Sequence, residues 1–348
     1  MSRVPDNDFD RLRMALTLTG KPDRVPLMEL DVSRAVMGAY LGRPIRGIED
    51  IVEFHVQAGY DFAPTQVGLM RVGSPIATEA TTVKSAHYGV YSDEPTAREW
   101  AAEGRGVVAT HEDIDAFAWD HGHALDLTVL DQAAAVLPES MQLFAIVGKV
   151  FTAVWMLMGF EGFAFALKEN PGVVGRLFRI VGEIQLEVVR RAAAHPAVAV
   201  LVHPDDIAYT EGLMVHPDIL REHVFPWYQR MGEVCRAHGK IMIYHSDGDL
   251  WPVFEDIIAC GFSAVHPLEP KAMDAREVKS AYGDRLCLLG GVELDRLSRG
   301  TPGEIRHMSS EMIRDLAYDG GYCLGSSNSV TDYVPLEIYR AMIETVWL

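Results

Sequence analysis

Eight short apolar runs recur along the chain, and each ends in polar side chains capable of chemistry. They close at Glu29/Asp31, Gln66, Lys149, Asp205/Asp206, His245/Asp247, His266/Glu269, Glu293 and Ser326/Asn328. An apolar strand buries readily, but a carboxylate or imidazole at its end needs water, a metal, a partner or a substrate. The runs at 25–30, 61–66, 143–150, 197–202, 240–244, 263–265, 286–289 and 322–324 are predicted strands. The β-branched run 197–202 suits a parallel strand buried on both faces. Helical patterns separate them. Residues 8–19 form a predicted helix capped by Asp8, and 47–59 closes on Gly59. Asn170-Pro171 opens a helix with proline in its first turn, and Val174, Leu177, Val181, Ile184 and Val188 make one stripe along it. Segment 217–237 is helical with a kink at Pro226. Further helices are predicted at 252–260, 274–282, 302–318 and 335–346.

Strand–helix alternation repeated eight times predicts an α/β fold, a (β/α)8 TIM barrel, as a single domain over 1–348. Its site would lie where the carboxyl ends of the strands meet. Residues 67–140 break the rhythm. They hold Gly, Thr, Tyr, His and charges; 83–91 alternates like an exposed hairpin, and 113–117 and 125–137 are partly helical. This stretch is predicted to be an insertion after strand two that walls or lids the pocket.

Charge narrows the function classes. The formal net charge is -18, from 31 Lys+Arg against 49 Asp+Glu. So acidic a surface repels phosphate backbones and anionic lipid, so neither nucleic acid nor membrane is an expected partner. The opening residues lack the apolar core of a signal peptide, and no apolar run reaches membrane-spanning length. Cys235, Cys260, Cys287 and Cys323 form no CxxC pair and suit reduced thiols in the cytoplasm. A homo-oligomer is compatible with all of this. There is no P-loop, GxGxxG, GxSxG or HExxH, so a nucleotide cofactor has no support.

The sharpest cluster is Tyr244-His245-Ser246-Asp247-Gly248-Asp249. His245 and Asp247, two apart at a strand end, project to one side, as a metal-binding pair or an acid/base pair. The competing expectation is a buried, hydrogen-bonded histidine. In His266-Pro267-Leu268-Glu269-Pro270 two prolines fix the chain around Glu269. In His203-Pro204-Asp205-Asp206 adjacent side chains point opposite ways, so one carboxylate faces the site and the other caps the following segment. The polar loop Gly325–Ser329 offers Ser327 and Asn328 as hydrogen-bonding groups for a ligand. Glu29 and Asp31 make the mouth acidic, which suits a metal or a cationic or neutral substrate. Phe151, Trp155, Tyr209 and Trp251 follow strand ends and are candidate pocket walls, although for each alone core packing is the better explanation.

Four stretches carry a resemblance: LTGKPDRVPLME, YHSDGDLWPVFEDIIACGFSAVHPLEP, AYGDRLCLLGGVE and GGYCLGSSNSVTDYVPLEIYRAMIETV. In order and spacing the chain resembles the uroporphyrinogen decarboxylase superfamily, weakly across 67–140. That resemblance implies one (β/α)8 barrel, acting either as a decarboxylase or as a corrinoid-dependent methyltransferase. The decarboxylases carry an arginine-rich segment after the first strand; here 28–34 is acidic at Glu29 and Asp31, which opposes a polycarboxylate. The zinc methyltransferases use His-x-Cys after strand five and a second Cys after strand eight. This chain keeps His245, but Asp247 and Asn328 stand in the thiolate places.

The reading that follows is a methyltransferase moving a methyl group from a small methylated donor, such as a methoxy-aromatic, to a corrinoid held by a partner protein, with Zn2+ as the candidate metal. His245, Asp247, Glu269 and Asn328 are the expected catalytic residues. Glu29, Phe151, Asp206, Tyr209 and Ser327 are expected at the substrate, and His245, Asp247 and Glu29 at the metal. The alternatives are a uroporphyrinogen decarboxylase-like lyase, with Arg34, Lys149 and the arginines of the 67–140 insertion as anion binders, and a non-catalytic small-molecule sensor.

Overall fold

The structure is a computed structural model that describes residues 6–67, 82–88, 95–101, 106–119 and 127–348, the two segments at 82–88 and 95–101 as backbone. Strands are β1 (Phe62–Gln66), β2 (Thr82–Tyr88), β3 (Pro95–Ala101), β4 (Gln142–Ile146), β5 (Val198–Pro204), β6 (Ala208–Tyr209), β7 (Gly212–Leu213), β8 (Ile241–His245), β9 (Ala264–His266), β10 (Cys287–Leu289) and β11 (Tyr322–Cys323). Seven of them pair in the order β1-β4-β5-β8-β9-β10-β11. Every neighbouring pair in that sheet is parallel. Helices join successive strands, so the carboxyl ends all lie at one end of a curled, barrel-like sheet.

The strand expected at 25–30 is a single parallel bridge, Leu27 to Leu324. Met28 N–H donates to Leu324 O, and Leu324 N–H donates to Pro26 O. Pro26 has no N–H, so the segment cannot extend its ladder. It still lies alongside β11, next in order after the seven strands.

Several expected helices appear as drawn. Phe9–Leu16 is capped by Asp8, whose carboxylate accepts from Asp10 N–H. Ile48–Ala58 ends on left-handed Gly59. The helix expected over 217–237 breaks into Pro217–His223 and Phe225–Ala237, with Pro226 in the first turn of the second piece. Others were not anticipated. Strand three stops at Ile146, and Phe151–Met158 and Phe160–Glu169 are helices. The run FTAVWMLM is apolar on every side, so it carries no 3.6-residue stripe to distinguish it from a buried strand. Arg34–Leu41 and Leu294–Arg299 are similarly short additions. In the 67–140 stretch, β2 and β3 pair antiparallel over a wider span than the hairpin expected within 83–91, most of which is the single strand β2, and His111–Ala116 and Thr128–Val136 are helical. Residues 68–81, 89–94, 102–105 and 120–126, on which the lid expectation also rests, lie outside the described residues.

The core runs from the sheet into the surrounding helices. Phe62 and Phe144 stack across β1 and β4 with centroids 4.0 Å apart, and Val200, Leu201 and Val202 are wholly buried. All four cysteines are free and buried. Among the described residues no single helix is long and apolar enough to cross a membrane.

One buried carboxylate joins two strands. Asp205, without solvent exposure, accepts the N–H groups of Val150 (2.9 Å), Phe151 (2.7 Å) and Thr152 (2.8 Å) and the hydroxyl of Tyr228. It thus holds the positive end of Phe151–Met158. The capping carboxylate expected of the 205/206 pair exists, but it caps the helix after the neighbouring strand β4 rather than the segment that follows it. Replacing Asp205 with Ala leaves these donors buried without an acceptor, and we expect a loss of about 3 kcal/mol in urea unfolding. Asp205→Asn, which keeps one acceptor oxygen, should lose less. An Asp205→Ala protein as stable as the parent would contradict this role.

Candidate metal centre at the carboxyl ends of the strands

Strand register assembles the site. Pro204 pairs with His245, and His245 pairs with His266, so β5, β8 and β9 end level with one another. Alternation turns Asp205 inward to its helix, and Asp206 turns toward the mouth. There one ligand atom each from Asp206, His245 and Asp247 lie within 4.8 Å of one another. His245 Nε2 is 3.8 Å from Asp206 Oδ1, and Asp247 N–H donates to the same oxygen at 3.2 Å. His245 Nδ1 meets His266 Nδ1 at 2.8 Å. Asn328 Nδ2 donates to Asp247 Oδ2 at 2.7 Å, and Lys149 Nζ stands 3.9 Å from Asp206 Oδ2.

Electrostatics leave this group short of positive charge. Burial, then the neighbouring charges of Asp206 and Glu269, push the Asp247 carboxyl up to about 7, against the opposing pull of Asn328 and Lys149. Its Oδ1 is buried with no hydrogen-bond partner among the described residues. Burial, reinforced by Lys149 and opposed by Asp206, holds the His245 imidazole below its usual range, so it stays neutral, the form in which histidine ligates. One imidazole nitrogen, two carboxylates and an unsatisfied oxygen fit a divalent cation. The donor set suits Zn2+ or a harder ion and lacks the thiolates that bind zinc most tightly.

Other expected residues are placed as follows. Glu29 is fully buried and turned to the 325–328 loop: Ser326 N–H donates to Glu29 Oε1 at 2.6 Å, and Ser326 Oγ lies 2.7 Å from Oε2. It stands outside the three-residue cluster. Burial pushes its carboxyl up to about 8, beyond the opposing effect of the Ser326 bonds. A protonated Glu29 donates to Ser326 Oγ, which then donates to Asn328 O at 3.1 Å. The contact is tight because residue 325 is glycine; a Cβ there would fall 1.8 Å from Met28 O. Glu29 therefore sets the loop that carries Asn328.

Glu269 uses both oxygens on protein donors, Thr210 Oγ1 at 2.9 Å and Gly248 N–H at 2.8 Å. It ties the β6–β7 hairpin to the loop after β8. Ser327 Oγ accepts Leu294 N–H at 3.1 Å and so caps a helix. Phe151 is fully buried against Phe163. Tyr209 is exposed on the hairpin, and Trp251 packs on Phe254 and Tyr282. Arg34 lines a cleft of about 560 Å³ with Asp31 and Gln66, which shares no residue with the cluster. Cys323 lies within β11, wholly buried.

Sequence reasoning set Asp206 at the substrate rather than in the metal cluster, and gave His266 no role. The available signal was positional. His245 and His266 each end an apolar run, and two such histidines on neighbouring parallel strands come level.

A family model described as Uroporphyrinogen decarboxylase (URO-D) matches residues 108–347. No curated protein matches. Among solved structures, a methyltransferase from Methanosarcina mazei superposes with a TM-score of 0.69 at 16% identity, over 96% of each chain. A sugar phosphate isomerase/epimerase from Parabacteroides distasonis, at 13% identity over 93% of this chain and 97% of its own, reaches only 0.37.

Glu29 makes stability pH-dependent. Its folded-state pKa lies above that of an unfolded glutamic acid, so the folded chain keeps a proton that the unfolded chain releases. Stability from this group is present below about pH 4.5 and is lost as pH rises toward 8, by at most about 1.4 kcal/mol per pH unit in between. Glu29→Gln keeps a donor for Ser326 Oγ and an acceptor for its N–H, and should flatten that slope in urea unfolding at pH 5 to 8. Equal slopes in the two proteins would refute a protonated Glu29.

Proposed function

The chain belongs to the uroporphyrinogen decarboxylase family, and from that premise we propose that it is a methyltransferase. It takes a methyl group from a small methylated donor, a methoxy-aromatic being the first candidate, and passes it to the cobalt of a corrinoid carried by a separate protein. We read the sheet as a (β/α)8 barrel over 1–348, with 26–28 in the eighth position and 67–140 as its insertion. The fold shared with the Methanosarcina mazei methyltransferase is consistent with this reading. The observation that carries it is the convergence of Asp206, His245 and Asp247 around a buried, unpartnered carboxylate oxygen.

The chemistry is an in-line displacement. The methyl carbon–oxygen bond breaks, a carbon–cobalt bond forms, and the oxygen leaves with the bonding pair. That departing oxygen needs a proton or a cation beside it. Asp206, His245 and Asp247 would hold Zn2+, which would supply Lewis acidity at that oxygen. Asn328 orients the Asp247 carboxylate. Lys149, 3.9 Å from Asp206, brings a cation into the mouth and favours negative charge building on the leaving oxygen. Glu269 and Glu29 fix the two loops that bear Asp247 and Asn328. A site with Asp247 and Asn328 in the thiolate places suits an oxygen-bound methyl group better than a thiol.

Lys149 also keeps the carboxy-lyase reading in view, because an ammonium in the mouth can bind a carboxylate. Repulsion by Glu29 no longer weighs against it, since a protonated Glu29 carries no charge. Asp206 and Glu269 still do.

Single-turnover incubation with a Co(I) corrinoid protein and a panel of methoxy-aromatics should give methyl-cobalt and the demethylated phenol with at least one donor. His245→Ala should lose at least about a hundredfold in rate, the scale expected when a group acting on the leaving oxygen is removed. No methyl-cobalt with any donor would contradict the proposal. Loss of carboxylates from uroporphyrinogen would favour the lyase, and thermal stabilisation by a ligand without turnover would favour the sensor.

A further inference from the structure

Parallel pairing sets His245 and His266 side by side as the last residues of β8 and β9. Residues level in register turn their side chains to the same face. Here the two rings stack at 25° with centroids 5.0 Å apart. Their Nδ1 atoms lie 2.8 Å apart, inside hydrogen-bond range. Two N–H groups would clash at that distance, and two lone pairs would repel. One proton, and only one, therefore lies between the two nitrogens. Its position decides what each ring presents at its other nitrogen.

With that proton on His266 Nδ1, neutral His245 carries its own hydrogen on Nε2, the nitrogen that faces Asp206 Oδ1 at 3.8 Å. A protonated nitrogen cannot ligate. With the proton on His245 Nδ1, His245 Nε2 offers a lone pair toward Asp206 and Asp247. His266 then accepts, and its remaining ring hydrogen sits on Nε2, which is buried with no partner among the described residues.

We propose that His266 is the positioning residue of the metal centre, accepting the Nδ1–H of His245 and holding that ring in the tautomer whose Nε2 ligates. This rests on reading Asp206, His245 and Asp247 as the ligands. Metal-bound histidines usually give their second N–H to a carboxylate, a carbonyl or water. Here a second imidazole takes that place, and the choice has a physical consequence. Asp206 and Asp247 already match the charge of a divalent cation, and a neutral acceptor adds no further negative charge to a buried site. The pairing is also rigid, because Ser246 N–H donates to His266 O at 3.0 Å between the same two strands.

The test uses protein labelled with 15N-histidine and Zn2+ alone as the probe. In the Zn2+-loaded parent, the His245 proton should be found on Nδ1. His266→Leu, which has no acceptor, should weaken Zn2+ binding by about 10–100-fold. His266→Asn, whose Oδ1 can accept the same bond, should keep most of the affinity. Unaltered Zn2+ binding in folded His266→Leu, or a His245 proton on Nε2 in the loaded parent, would overturn the role of His266. If His266→Leu does not fold, the proton position in the parent and the affinity of His266→Asn decide alone. His245→Ala separates the two levels. If it binds Zn2+ as tightly as the parent, or the parent takes up none, the ligand assignment fails and this inference with it. If His245→Ala loses Zn2+ while His266→Leu does not, only the inference fails.

Discussion

A buried carboxylate must be compensated, and this chain meets that constraint in three ways within one end of one sheet. Asp205 is compensated by hydrogen-bond donors, three N–H groups at a helix start and the Tyr228 hydroxyl. Glu29 is compensated by a proton, kept because burial outweighs the Ser326 bonds. Asp247 has one oxygen satisfied by Asn328 and the other by nothing in the described protein. The first two solutions build structure. The third leaves the cluster short of positive charge, and that shortage is the ground on which a cation is proposed there.

The three are linked. Asp205 and Asp206 are adjacent, so locking the first onto its helix turns the second toward His245 and Asp247. Glu29 holds Ser326, and Ser326 holds the backbone of Asn328, whose side chain reaches Asp247. Glu269 fixes the loop after β8 through Gly248. Most of the residues around the centre therefore act on it by placing others, and few are free to touch a substrate.

How much of this was legible in the sequence depended on periodicity and adjacency. The seven strands of the parallel sheet read clearly because apolar runs alternate with helical segments, as in Val198–Pro204 followed by Pro217–His223, whereas the two-residue strands β6 and β7 carry too short a pattern to be seen. The first strand was overread, since Pro26 lets the segment make only one bridge. The helix Phe151–Met158 went unread, with Phe151 and Trp155 seen only as aromatic walls beyond a strand end, because a helix apolar all round carries no stripe. At the site, His245, Asp247 and Asn328 could be seen from motif and resemblance. The division of labour between Asp205 and Asp206 was foreseen, with Asp206 set toward the site, but that Asp205 caps the helix after a neighbouring strand needed coordinates. The His245–His266 contact joins residues 21 apart, and only strand register brings them together.

The central claim is the proposed metal centre, built from nitrogen and oxygen donors of Asp206, His245 and Asp247. X-ray absorption at the zinc edge on Zn2+-loaded protein tests this directly. The account predicts a first shell of nitrogen and oxygen at about 2.0–2.2 Å with no sulfur. A zinc–sulfur shell at about 2.3 Å would contradict it, because all four cysteines are buried and Cys323 lies within a strand.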